Sequence, residues 1–219
     1  IAPRLRPLAE PRAWLLTSGT TGARKLVPLR TGQFAFGTFG TAIRLGHQLD
    51  DVWLCPLPLH HIGGLAILAR TAWLGTTTRL LPRFDAPRVA SLLDEGTISL
   101  VSLVPSMLEQ ALEARRAPAQ PFPSRLRAVL VGGAKTPSGV LARAAAIGAP
   151  LALTWGMSET ASQVATRFPG ETSEPGAPPL PFVDVSVDPI SDAGVATGTR
   201  EDSSAARVDA SKEEAPDGS

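Results

Sequence analysis

Strand-like and helix-like segments alternate along most of the chain, and this alternation restricts the possible folds more than any other feature. Short runs rich in β-branched and apolar residues predict strands at 13–16, 52–56, 77–81, 98–104, 128–131 and 151–154. Apolar residues at helical spacing predict helices at 32–45, 62–74, 85–93, 106–115 and 138–147, with Asp85 as an N-cap. The order predicts an α/β fold with a mostly parallel sheet flanked by helices. Ligands of such folds bind beyond the carboxyl ends of the strands.

The last part of the chain has a different character. Residues 182–187 alternate in hydrophobicity and predict one more strand. Residues 191–219 contain no aromatic residue, leucine or isoleucine, but seven acidic and three basic residues. Such a composition cannot bury enough apolar surface to offset the entropy of ordering. We therefore expect a partial folded domain at 1–190 and a disordered acidic tail at 191–219.

Composition excludes several classes of function. The net charge is +1, which argues against a nucleic-acid-binding surface. No apolar run reaches the roughly 18 residues of a membrane helix. A single cysteine, Cys55, excludes a disulfide framework and favours a reducing compartment such as the cytoplasm. The first residue is Ile1 rather than methionine, so we expect a piece of a longer chain.

A loop rich in glycine and hydroxyl residues, TSGTTGARK, follows the first predicted strand. Its two glycines allow backbone N–H groups to converge on an anion, and hydroxyls and a lysine add further donors. The Walker A pattern does not fit, because Arg24 stands where that pattern requires glycine. Turn chemistry alone fits an ordinary Gly/Ser/Thr turn equally well.

The loop resembles the phosphate loop of the adenylate-forming (AMP-binding) superfamily of acyl-CoA synthetases, adenylation domains and luciferases. The usual signature is TSGTTG, one free position, proline and lysine; Arg24 replaces the proline and Lys25 is retained. The resemblance implies that the loop grips the triphosphate of ATP. The ATP-binding residues it implies are Thr17, Ser18, Gly19, Thr20, Thr21, Gly22 and Lys25.

Three further segments resemble superfamily motifs in the same order. PLHHIGG, at 58–64, is similar to P-L-x-H-x-x-G and implies that His61 lies beside the acyl pocket. VGGA, at 131–134, implies a substrate contact at Gly132 and adenine contacts at Gly133 and Ala134. TWGMSET, at 154–160, is similar to the aromatic-Gly-x-Thr-Glu motif. It implies ATP contacts from Trp155, Gly156 and Ser158, and Mg²⁺ binding by the hard oxygens of Glu159.

Other readings of these segments are weaker. GMSET approaches the G-x-S-x-G elbow of hydrolases, but every histidine precedes Ser158 and the last glycine is missing. Adjacent histidines at 60–61 do not share a helix face, which disfavours a metal pair. Cys55 lies within an apolar run, where a buried inert thiol is expected rather than a nucleophile.

Within the superfamily, the segments LPLHHIGGLAILARTAWLG and GMSETASQVAT resemble the succinylbenzoate–CoA ligases of menaquinone biosynthesis. That resemblance implies acyl-adenylate formation from ATP, followed by transfer to CoA. It implies Lys25, Glu159 and His61 as catalytic residues, substrate contacts by Ser162 and Gln163, and ATP, Mg²⁺ and CoA as cofactors or co-substrates. Another acyl- or aryl-CoA synthetase, or a nucleotide-binding remnant without activity, is the alternative. The superfamily's small C-terminal domain, with its catalytic lysine, is not recognisable here, so we expect this chain alone to be inactive.

Overall fold

The computed structural model describes residues 7–18, 24–168, 171 and 177–186. The strands are β1 (Pro11–Ser18), β2 (Arg24–Arg30), β3 (Val52–Cys55), β4 (Thr77–Leu80), β5 (Leu100–Leu103), β6 (Ala128–Val131), β7 (Leu151–Met157) and β8 (Ser162–Arg167). The helices are α1 (Thr31–Leu45), α2 (Ile62–Leu74), α3 (Ala86–Asp94), α4 (Pro105–Glu113) and α5 (Ser138–Ala146). A 3₁₀ turn, Ser158–Thr160, lies between β7 and β8.

The strands of the described residues form two sheets. The larger has the order β4-β3-β5-β6-β7-β8; its first five strands pair in parallel, and β8 pairs with β7 in antiparallel orientation. β1 and β2 form a separate antiparallel hairpin. The prediction of an α/β fold with a mostly parallel sheet is confirmed.

Helices cover both faces of the larger sheet. On one face, α3, α4 and α5 bury apolar residues such as Leu92, Leu108 and Val140 against the strands. On the other face, Ile67 of α2 packs against Trp53 and Cys55 of β3. Strands buried on both faces are typical of parallel sheets, because every crossover helix must cover one face.

Local chemistry explains where individual helices begin. The Asp85 carboxylate accepts a hydrogen bond from the Arg88 backbone N–H (2.9 Å), and Pro87 occupies the first turn of α3. Both features favour a helix start, so the predicted Asp85 cap is confirmed. None of the described helices is long and apolar enough to cross a bilayer.

Two predictions near the end of the fold differ from the structure. No strand forms over 182–186, and Val187 lies outside the described residues. Phe182 has a φ of +69°, which interrupts the extended backbone that a strand requires. Pairing with β8 occurs just before it instead, through an isolated antiparallel bridge between Pro179 and Ala165. Conversely, β8 was not predicted: four of its six residues are buried in succession, so it shows no alternation.

Candidate active site

The hairpin brings Lys25 to one side of the site. In the antiparallel register Lys25 pairs with Thr17, whose hydroxyl donates to the Lys25 carbonyl (3.3 Å). The inner face of the hairpin is buried in a small cluster made by Leu15, Val27, Leu29, Phe34 and Ala161. Because alternate residues of a strand face opposite sides, Lys25 is on the same face of β2 as the buried Val27 and Leu29. The loop at 19–23 and the side chain of Ser18 lie outside the described part of the chain.

The Ser158–Thr160 turn forms the opposite side of the site. β7 pairs with β6 only up to Leu153, opposite Val131, and continues to Met157 beyond the end of its neighbour. The Thr160 hydroxyl donates to the Met157 carbonyl (3.0 Å) and so closes the turn. This extension carries Glu159 past the carboxyl ends of the parallel strands, which is where α/β folds bind ligands.

A tight reversal follows the turn. Ala161 and Ser162 have φ angles of +55° and +107°, a region that non-glycine residues seldom adopt. At Gly156 a Cβ would lie 1.8 Å from the Ser162 carbonyl oxygen, so only glycine fits there. Backbone strain of this kind is concentrated at functional sites in proteins.

The two sides meet at an ion pair. Lys25 Nζ lies 3.6 Å from Glu159 Oε1, although Lys25 is in the hairpin and Glu159 is in the turn between β7 and β8 of the larger sheet. Their side chains remain 64% and 45% exposed. Because both side chains are exposed, both charged groups are accessible to a ligand. Because an exposed ion pair contributes little to stability, either group can exchange this partner for a ligand at low cost.

The other motif residues lie along the same edge of the sheet. Trp155, in β7, is 43% exposed, so its indole is partly accessible. Gly132 follows β6 and approaches the neighbouring strand so closely that a Cβ would lie 2.4 Å from the Thr154 hydroxyl. Gly133 adopts a φ of +81°, and Ala134 after it is exposed. The glycines at 132 and 156 therefore allow close backbone approaches, and Gly133 allows a positive φ.

His61 is the exposed N-cap residue of α2. Its ring lies 4.4 Å from that of His60, and its neighbour Ile62 packs on the cluster under the hairpin. This packing holds the start of α2 next to Ala161 and the reversal after the turn. Within the described ranges, no group of three His, Cys, Asp or Glu residues could hold a metal ion.

Gln163, which the resemblance implies as a substrate contact, has a buried side chain in the structure. Its side chain is 6% exposed. Its Oε1 accepts from the Thr41 hydroxyl (3.2 Å), and its Nε2 donates to the Thr166 hydroxyl. Both ends of the amide thus have partners between β8 and α1, and a direct substrate contact does not follow from this position. The unpredicted strand β8 is the reason, because it directs this side chain into the protein.

Cys55 is fully buried, as predicted for an inert thiol. Its Sγ lies 3.7 Å from the Leu57 carbonyl oxygen and 3.8 Å from that of Gly64. Burial raises the pKa of the thiol, which disfavours the nucleophilic thiolate.

Sequence reasoning missed one polar residue of this site. Gln33, in the first turn of α1, donates from Nε2 to the Glu159 carbonyl (2.6 Å). A glutamine in the first turn of the predicted helix, shortly after the hairpin, was the available signal.

Comparison with known proteins places this arrangement among characterised enzymes. The profile of the AMP-binding enzyme family matches residues 3–198. The 2-succinylbenzoate–CoA ligases of Bacillus cereus (strain Q1) and Bacillus anthracis (strain A0248) are 36% and 35% identical over 159 residues, or 73% of this chain. The chain spans about a third of the length of these curated relatives.

Solved structures give the same result. The o-succinylbenzoate CoA synthetase of Bacillus subtilis, in complex with ATP and magnesium ion, matches with a TM-score of 0.76 and 30% identity, over 84% of this chain and 38% of that one. The same enzyme in complex with its acyl-adenylate intermediate matches with a TM-score of 0.75, 30% identity and the same coverage. By sequence and by fold, the chain belongs to the AMP-binding enzyme family.

Proposed function

We propose that this chain is the nucleotide-binding part of an ATP-dependent acyl-CoA ligase and that 2-succinylbenzoate is the carboxylic acid it activates. The observation on which the proposal depends is the 3.6 Å approach of the exposed side chains of Lys25 and Glu159. A cation for phosphate and a carboxylate for Mg²⁺ are both needed to bind a magnesium nucleotide. The similarity to 2-succinylbenzoate–CoA ligases supports the choice of acid.

The donor set at the turn fits magnesium. Mg²⁺ prefers oxygen ligands and is commonly held by one or two carboxylates together with substrate phosphates. Glu159 offers one such carboxylate, 45% exposed, and the described residues form no closed metal cage. When bound, the metal ion supplies charge neutralisation of the phosphate oxygens.

In the first half-reaction, a substrate carboxylate oxygen attacks the α-phosphorus of ATP, and pyrophosphate leaves. The Lys25 ammonium would stabilise the negative charge that accumulates on the α-phosphate and the leaving pyrophosphate. The hydroxyl of Thr17 and residues 18–22 would add donors to the same phosphates. The indole of Trp155 would stack on adenine, and the Ser158 hydroxyl would donate to the AMP phosphate.

In the second half-reaction, the CoA thiolate attacks the acyl carbonyl carbon of the adenylate, and AMP leaves. His61 at the start of α2, Gly132 and Ser162 would line the acyl pocket. Gly133 and Ala134 would contact the adenine. Gln163 would shape this pocket from within through its bonds to Thr41 and Thr166, rather than by contact with the acid. We place this chemistry in a reducing compartment, the cytoplasm, since the sole cysteine is a buried free thiol.

A second candidate is binding of magnesium nucleotide without turnover. It is favoured by the exposed Lys25–Glu159 pair, which could hold a magnesium nucleotide whether or not turnover follows. Pyrophosphate exchange separates the two: exchange that depends on 2-succinylbenzoate supports the ligase, whereas ATP binding without exchange supports the second candidate.

Calorimetry with ATP and Mg²⁺ tests both candidates. Lys25→Ala and Glu159→Ala should each weaken binding about tenfold or more, since each removes a charged contact. Matched controls are Arg116→Ala and Glu113→Ala, which remove exposed charges at and beyond the C-terminal end of α4. Because α4 begins beyond the carboxyl end of β5, its C-terminal end lies near the amino-terminal ends of the strands, away from the candidate site. Equal affinity in all four variants would refute the proposed site.

A further inference from the structure

Gln33 connects the two sides of the candidate site with one side chain. It is the third residue of α1, directly after the hairpin strand that bears Lys25. Its Oε1 accepts from the backbone N–H of Arg30 (2.8 Å), where β2 ends. Its Nε2 donates to the Glu159 carbonyl (2.6 Å), 126 positions later in the chain.

Both bonds use the opposite polarities of one primary amide. A carboxylate of the same length, as in glutamate, could accept from Arg30 but could not donate to Glu159. A methionine of similar shape could do neither, and asparagine is one methylene shorter. The amide of glutamine therefore matches this pair of partners in both chemistry and reach.

The ion pair by itself cannot fix the geometry of the site. Both of its side chains are about half exposed or more, and such pairs are weak and screened by salt. The Gln33 bond acts on the backbone of Glu159 instead, within a turn whose next residues have positive φ. A backbone bond at this point limits where the Glu159 carboxylate can lie relative to β2.

We propose that Gln33 is a positioning residue: it ties the Ser158–Thr160 turn to the end of β2, and so sets the place of the Glu159 carboxylate relative to Lys25. This inference rests on the proposed function, in which that carboxylate binds Mg²⁺ with ATP. Gln33 itself need not contact nucleotide or metal.

The test compares the Mg²⁺ dependence of ATP binding in wild-type chain, Gln33→Glu and Gln33→Met, by calorimetry with excess Mg²⁺ and with EDTA. Both variants should lose about 3- to 10-fold in affinity with Mg²⁺, the range expected for one hydrogen bond, and little with EDTA. Gln33→Glu can keep the bond to Arg30, so the loss of affinity in this variant would measure the contribution of the bond to Glu159 alone. Gln110→Met, an exposed glutamine on α4, is the matched control. If Gln33 had a merely structural role, its variants would lose the same factor in ATP affinity with Mg²⁺ and with EDTA, and that result would overturn the inference.

Hydrogen exchange gives an outcome that does not depend on nucleotide. Amides of residues 158–162 should exchange several-fold faster in both Gln33 variants than in wild type and in Gln110→Met. If wild type binds no Mg·ATP, the proposed function fails, while this comparison still decides whether Gln33 holds the turn. Unchanged exchange at 158–162 would refute the positioning role.

Discussion

At the level of single side chains, the two charged groups of the site neutralise each other. Lys25 and Glu159 are each other's counter-ions at 3.6 Å, in water-accessible positions. Under the proposed function each would exchange this partner for another, the ammonium for phosphate and the carboxylate for magnesium. The exchange is easy because an exposed ion pair is weak.

Lys25→Gln should therefore have opposite effects on two ligands. Removal of the ammonium should weaken ATP binding about tenfold, because a charged contact to phosphate is lost. The same change should strengthen binding of Mg²⁺ alone, because Glu159 loses its competing cation. Titrations of ATP and of MgCl₂, each followed by calorimetry, measure both effects. Arg116→Gln should change neither, and weaker Mg²⁺ binding in Lys25→Gln would contradict the idea.

Motifs predicted the chemical identity of the site residues better than their contacts. Lys25, Trp155 and Glu159 were recognisable because their types follow a pattern in sequence. The bond from Gln33 to Glu159 joins positions too distant in sequence for any local pattern to show. Gln163 was named for its place after the glutamate motif, yet its orientation depends on β8, which the sequence did not predict. The roles of all these residues remain predictions.

At the level of strands and turns, the shape of the site depends on the close approach of β7 and β8. The ladder shifts its register between Trp155 and Gly156, and the Ser162 carbonyl occupies the space that a side chain at 156 would need. This bulge lets the chain reverse within a few residues and still expose Glu159.

Gly156→Ala should consequently destabilise the fold by about 3 kcal/mol, since the backbone itself would have to move. Gly37→Ala is the matched control: it lies inside α1 with no atom within 4 Å of the added Cβ. There the same substitution should stabilise by about 0.5–1 kcal/mol, through helix propensity. Urea unfolding of both variants measures the difference, and a neutral Gly156→Ala would contradict the close approach.

Periodicity predicted most elements, and it failed where the pattern of burial was unusual. The bounds of α2 and β6 agree with the prediction, because their apolar residues follow a regular period and glycines mark their ends. Four consecutive residues of β8 are buried, so the strand lacks the alternation by which a half-exposed strand is recognised. Residues 182–186 alternate, yet the positive φ of Phe182 interrupts the extended backbone that a strand requires.

For the molecule as a whole, the acid sensitivity of stability should depend on Glu171. The Phe168 backbone N–H donates to its carboxylate (3.0 Å), and the Arg44 guanidinium of α1 pairs with it. These contacts hold the pKa of Glu171 below its ordinary value of 4.5. A carboxyl with a lowered folded-state pKa contributes stability that is fully present above its unfolded value and is lost as pH falls through the folded value.

Glu171→Gln should therefore flatten the loss of stability as the pH falls below the ordinary pKa of a glutamate. The measurement is the urea midpoint at a series of pH values, at low salt so that the ion pair is not screened. Glu113→Gln, on the exposed side of α4, should keep the wild-type slope. An identical slope in Glu171→Gln would show that this carboxyl does not link the end of β8 to α1.

The hairpin and the main sheet differ in how firmly they are held. Six strands and their helices share a large interior, whereas β1 and β2 rest on a small cluster and leave Trp14, Leu16 and Leu26 more than half exposed on the outer side. On warming, the β1–β2 hairpin should therefore loosen first. Lys25 would move away from Glu159 while the larger sheet stays folded. Under the proposed function, nucleotide binding would then be lost several degrees before the main sheet unfolds.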